Sequence, residues 1–197
     1  CEGKDLIIEA QKLGRGIILL APHLGNWEIF GFYMSHGLDS TWLYQRPNLP
    51  ALDRLITRTR SRGGIKMVPA NRSGVSKILK SLKQGKIVGV LPDQVPPEEG
   101  GTFAPFYTEQ ALTMTLVSKL LQKTDAKVFC GFAKRLSKKQ GYQIIVEAAD
   151  EQIYSDNIDE SVAALNRTVE KSVNKAVEQY QWEYKRFRKR PDGKKFY

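Results

Sequence analysis

The chain has 197 residues, 41% of them apolar, which is enough for one domain with a full hydrophobic core. Its 31 Lys and Arg against 21 Asp and Glu leave a net charge of +10, pointing to an anionic partner: phosphate, nucleic acid or anionic lipid. Two cysteines, Cys1 and Cys130, exclude a disulfide framework; no apolar run approaches the roughly 18 residues of a spanning helix, and the first residues lack a secretory leader pattern.

In chain order, Gly16-Ile-Ile-Leu-Leu-Ala21 is a continuous apolar run bounded by Gly and Pro, the pattern of a buried parallel strand. A helix follows, with Asn26 as its N-cap, running to His36-Gly37. Thr41 to Gln45 reads as a strand and Ala51 to Arg62 as a basic helix closed by Gly63-Gly64. Ser73 to Gln84 reads as a helix capped by Ser73, with Ile78, Leu79 and Leu82 inward, and Ile87 to Leu91 as another buried strand. Pro92 to Gln110 is a long loop, a length that usually marks function.

Helix returns at Thr113 to Thr124, and strands at Lys127 to Ala133 and Tyr142 to Ala148 flank a basic hairpin. Ser161 to Gln181 closes the pattern as a helix with Val162, Leu165, Val169, Val173, Val177 and Tyr180 on its core face. The alternation predicts a single α/β domain over residues 1–197, with a mainly parallel central sheet and helices on both faces. Chemistry should then lie beyond the carboxyl ends of the strands.

His23 follows the first strand directly, and Glu28 comes five residues later. Five residues along a regular helix turn a side chain by about 140°, so the two meet only if His23 precedes the helix. In that case Glu28 can accept one imidazole proton and leave the other nitrogen as a general base for an alcohol. The helix start offers free amides to an oxyanion, and Gly25 permits close approach. On spacing alone, a helix-capping histidine beside a solvated glutamate is the plainer reading; the context reverses that.

His23-x-x-x-x-Glu28 after an apolar strand resembles the first motif of the glycerolipid acyltransferase superfamily. Tyr44-Gln45-Arg46-Pro47-Asn48 with Leu52-Asp53, Arg60-Ser61-Arg62, Leu91-Pro92-Asp93-Gln94, Phe103-Ala104-Pro105-Phe106-Tyr107, Glu178-Gln179-Tyr180-Gln181-Trp182 and Arg186 to Pro191 together resemble, in order, the bacterial lipid A late acyltransferases. The resemblance implies transfer of an acyl chain from acyl carrier protein to a hydroxyl of a Kdo-bearing lipid A precursor, at the cytoplasmic face of the bacterial inner membrane. It implies no metal, no cofactor and no covalent acyl-enzyme. It makes His23 the base, Glu28 its orienting partner and Arg60 a binder of substrate charge, while Asp93 shapes the acyl pocket or supports the dyad. Tyr44, Arg46, Asn48 and Gln94 complete the expected substrate-binding set. Family members carry a membrane helix before the first strand, and nothing in this sequence corresponds to it.

Arg46 is equally readable as a structural ion pair, and Cys130 as a buried inert thiol. Asn71-Arg72-Ser73-Gly74 could hold a phosphate, although a plain cap suits it better. The basic, aromatic stretch from Gln179 to Lys195 suits anionic lipid head groups, at about 1 kcal/mol per cation, before it suits nucleic acid. The expected partners are therefore acyl carrier protein, an anionic glycolipid and the membrane surface, without nucleic acid. Two other readings stay open: a related enzyme using acyl-CoA or another sugar acceptor, and a non-catalytic basic module for anionic lipid or nucleic acid.

Overall fold

The computed structural model describes residues 1–137 and 140–197, so Lys138 and Lys139, in the basic hairpin, lie outside the described residues. The elements run α1 (Lys4–Lys12), β1 (Ile17–Leu20), α2 (Trp27–Ser35), β2 (Ser40–Tyr44), α3 (Pro50–Arg62), β3 (Ile65–Pro69), α4 (Arg72–Lys83), β4 (Ile87–Val90), β5 (Gly101–Phe106), β6 (Glu109–Met114), α5 (Leu116–Leu121), β7 (Lys127–Arg135), β8 (Tyr142–Ala148) and α6 (Ile158–Val173).

All four residues of β1 are buried, as an unalternating apolar strand requires. It pairs in parallel with β4 on one side and β7 on the other. The full order is β3-β2-β4-β1-β7-β8, parallel except for the antiparallel edge strand β8. Side chains alternate between faces, so Ile17 and Leu19 pack with Ile7, Phe30 and Met34 from α1 and α2. Ile18 and Leu20 pack with Ile78, Leu82, Val117 and Leu165 from α4, α5 and α6. This is the expected mainly parallel sheet with helices on both faces. No helix among the described residues is long and apolar enough to cross a membrane.

Several local expectations are corrected. The segments that form α1 and β3 carried no assignment; each is short and rich in charge or turn residues, so its periodicity is weak. The stretch taken as a loop from Pro92 contains the strand β5, paired antiparallel with β6, and β6 takes Thr113 and Met114 from the expected helix. Ser73 does not cap α4. Asn71 does, its side chain accepting from the Gly74 amide at 3.0 Å.

The closing helix stops at Val173 rather than Gln181. Beyond it the backbone turns back to bridge Tyr180 to Leu24, and the Gln181 amide donates to the His23 carbonyl at 3.0 Å. Those long-range bonds replace helix propagation, which leaves Val177 47% exposed instead of in the core and Tyr180 buried.

Candidate active site

Adjacent strands β1 and β4 each lead into a segment that carries the site. One turn past β1 stands His23, and past β4 come Asp93 and Gln94. One carboxylate makes two bonds to the histidine: Asp93 Oδ2 accepts from the His23 backbone amide at 2.8 Å, and Oδ1 stands 2.9 Å from Nδ1. A carboxylate only accepts, so Nδ1 carries the proton and Nε2 the lone pair. The Gln94 amide nitrogen, 3.1 Å away, donates to that lone pair. Asp93 is 5% exposed.

The expected Glu28 contact to the imidazole is therefore replaced. Glu28 Oε1 accepts from the Arg60 guanidinium at 2.7 Å. The physical reason lies in the connection. Leu24 to Asn26 are pinned by the Gly25 amide to the Gln179 carbonyl and the Asn26 amide to the Ala133 carbonyl. The helix then begins only at Trp27, and Nδ1 faces the end of β4. Trp27 links the two pairs, edge-on to the His23 ring at 5.7 Å and under the Arg60 guanidinium at 5.1 Å.

Gly25 also has a different task from the one expected. Its φ is +61°, and a Cβ there would stand 2.2 Å from the Ala133 carbonyl oxygen, so its smallness serves packing against β7. Its amide is spent on Gln179. The amides of Trp27 and Glu28 remain the first of the helix, without an intrahelical acceptor.

A cavity of about 520 Å³ opens at this point. His23, Glu28, Tyr44, Arg60 and Gln94 line it together with an apolar majority that includes Gly31, Phe32, Trp42, Met67, Val90 and Met114. Arg46 and Asn48 are not in the lining. Arg46 pairs at 3.4 Å with Asp53, which also accepts from the Tyr44 hydroxyl at 2.8 Å.

Sequence reasoning missed the support beneath the site. The Tyr184 hydroxyl accepts from the Val95 amide at 2.9 Å, holding the segment that follows Gln94. Burial, then the charge of Asp93, pushes the Tyr180 phenol up and keeps it protonated. Arg186, expected on a solvated or lipid-facing tail, is 4% exposed and donates to the Leu112 carbonyl at 2.6 Å and the Thr113 hydroxyl at 2.8 Å. Burial pulls its guanidinium below its ordinary value. The sequence signals were the interleaving of aromatic with basic residues and the two motifs of the family resemblance, Glu178 to Trp182 and Arg186 to Pro191.

The model of the bacterial lipid A biosynthesis acyltransferase family matches residues 1–189. The chain belongs to that family. It is 28% identical over 193 residues to the lipid A biosynthesis palmitoleoyltransferase of Escherichia coli, covering 98% of this chain and 62% of the relative. It is 29% identical over 196 residues to a lipid A biosynthesis acyltransferase of Haemophilus influenzae, covering 99% of this chain and 61% of the relative. The lipid A biosynthesis lauroyltransferase of Escherichia coli is 29% identical over 192 residues, covering 97% and 62%. The chain thus spans about three fifths of the length of these lipid A acyltransferase relatives.

Proposed function

We propose that the chain carries the acyl-transfer chemistry of lipid A biosynthesis, moving a fatty acyl group from acyl carrier protein to a hydroxyl of a lipid A precursor. The observation that carries this reading is His23, its Nδ1 engaged by Asp93 and its Nε2 lone pair at the rim of an apolar cavity. The acceptor hydroxyl displaces the Gln94 amide from Nε2. His23 takes its proton as the oxygen attacks the thioester carbonyl carbon. The tetrahedral oxyanion collapses with cleavage of the C–S bond, and the imidazolium returns the proton to the departing thiolate.

The apolar lining suits the acyl chain. Arg60, steadied by Glu28, brings positive charge to the polar end, where it suits a phosphorylated acceptor or the oxyanion. Glu28 thereby serves the guanidinium, and Asp93 orients the base. The net charge of +10 favours work at an anionic surface, which on this reading is the cytoplasmic face of the inner membrane.

The test is transfer of a radiolabelled acyl group from acyl carrier protein to a Kdo-bearing lipid A precursor, comparing the wild type with His23→Ala. A loss of about 10²-fold or more in a correctly folded variant is the expected result. Equal activity in the two proteins would remove His23 from the mechanism.

A further inference from the structure

Strand alternation divides the cavity lining between the two faces of the sheet. Leu43 and Val90 pack with the α4, α5 and α6 core, whereas Trp42 and Met67 pack toward α2. On the α2 side the lining takes in Gly31 and Phe32, Trp42 in the middle of β2, and Ile65 at the start of β3.

The indole there is held from three directions. Its N–H is shared between the Ser35 hydroxyl at 3.1 Å and the Ser40 hydroxyl at 3.3 Å. Those two hydroxyls also bond each other at 2.6 Å, so both stay satisfied without the indole. Trp42 is in register with Gly89 on β4, and a Cβ at Gly89 would stand 2.1 Å from the ring; the ring lies flat across a strand that has no side chain at that point. From α2, a Cβ at Gly31 would meet the ring at 3.6 Å, an ordinary contact. A ring so fixed, 3% exposed, is a wall that a chain in the cavity cannot push aside.

We propose that Trp42 is the floor of the acyl-chain site and sets the longest chain accepted, with Gly31 keeping the space beside it open. The proposal rests on the reading that the cavity takes the acyl chain, and it places that chain on the α2 face. Trp42→Leu should deepen the site and Gly31→Ala should narrow it, so the two variants shift selectivity in opposite directions. Methylene-scale discrimination in an apolar pocket is about tenfold or more per step.

Two readouts are taken on Trp42→Leu, Trp42→Phe, Gly31→Ala and Met114→Phe, the last narrowing the opposite face. The first is displacement of a fluorescent fatty-acid probe by octanoate, laurate, myristate, palmitate and stearate. The second is competition between the corresponding acyl carrier protein thioesters in the transfer assay. The expected result is a chain-length optimum moved longer in Trp42→Leu, by less in Trp42→Phe, and shorter in Gly31→Ala, each by at least about tenfold in the ratio of neighbouring lengths. An optimum unmoved by these three, or moved only by Met114→Phe, overturns the proposal, as does a wild type that binds none of the acids. Shifted binding without any transfer would sink the acyltransfer reading and leave the floor in place. Normal transfer with an unshifted optimum would do the reverse.

Discussion

Asp93 decides which nitrogen of His23 is basic. Replacing it with Asn keeps the shape but offers either an acceptor or a donor to Nδ1, so the tautomer with its lone pair on Nε2 is no longer enforced. We expect Asp93→Asn to lower kcat by about 10²-fold or more with an unchanged melting temperature. Glu28→Gln, which loosens Arg60 and leaves the imidazole bonds alone, should fall less in kcat and more in acceptor KM. Steady-state kinetics on both variants separates the assignments, and a Glu28→Gln variant inactive at saturating acceptor would return the orienting role to Glu28. His23 was legible because a histidine directly after a buried apolar strand stands at the chemical end of an α/β sheet. Its partner was not, because five residues of spacing show that Glu28 can be near, whereas the pairing of β1 with β4 that brings Asp93 to the ring is a long-range fact.

At the scale of elements, long apolar or strongly periodic segments were legible and short ones were not. β1, β4, α2 and α4 announce themselves, while β3 alternates over only five residues and β5 begins inside a stretch dense in Pro and Gly. The last helix misled because its apolar spacing continues past the point where tertiary bonds capture the backbone for the site. Two caps carry measurable stability. Asn157 accepts from the Asp159 and Glu160 amides at the start of α6, and Asn71 from Gly74 at the start of α4. Either residue changed to Ala should cost about 1 kcal/mol in denaturant unfolding with m unchanged. Ser73→Ala should cost little, and a larger loss there than at Asn71 would reinstate Ser73 as the cap.

For the molecule as a whole, the alternation of strands and helices made the fold class legible but not the order of strands, which depends on which edges meet after both faces are covered. Charge gave a sign and misplaced one of its carriers, since Arg186 is interior. The interior also holds acids whose neutral forms folding favours, Cys130 and Tyr180 among them. Burial pushes the Cys130 thiol up from its ordinary 9.0 to about 12, and Tyr180 moves in the same direction from 10.0. A raised value means that the unfolded chain loses its proton first, so this stability is whole below about pH 9 and drains as pH rises toward 12. Denaturant midpoints followed from pH 8 upward should therefore decline, and Cys130→Val should flatten the first part of that decline. An identical slope in the variant would assign the loss to other groups.

The same topology constrains how the chain is made. Ile17–Leu20 is synthesised before either of its neighbours, one of which begins at Ile87 and the other at Lys127. Until both have been synthesised, this wholly apolar strand has at least one open edge, and a nascent chain in that condition pairs with whatever strand it meets. Closure of the sheet waits on distant contacts, which fold slowly. Refolding from dilute denaturant should accordingly give a yield that falls steeply with protein concentration, and the species lost should be those in which β7 has yet to dock.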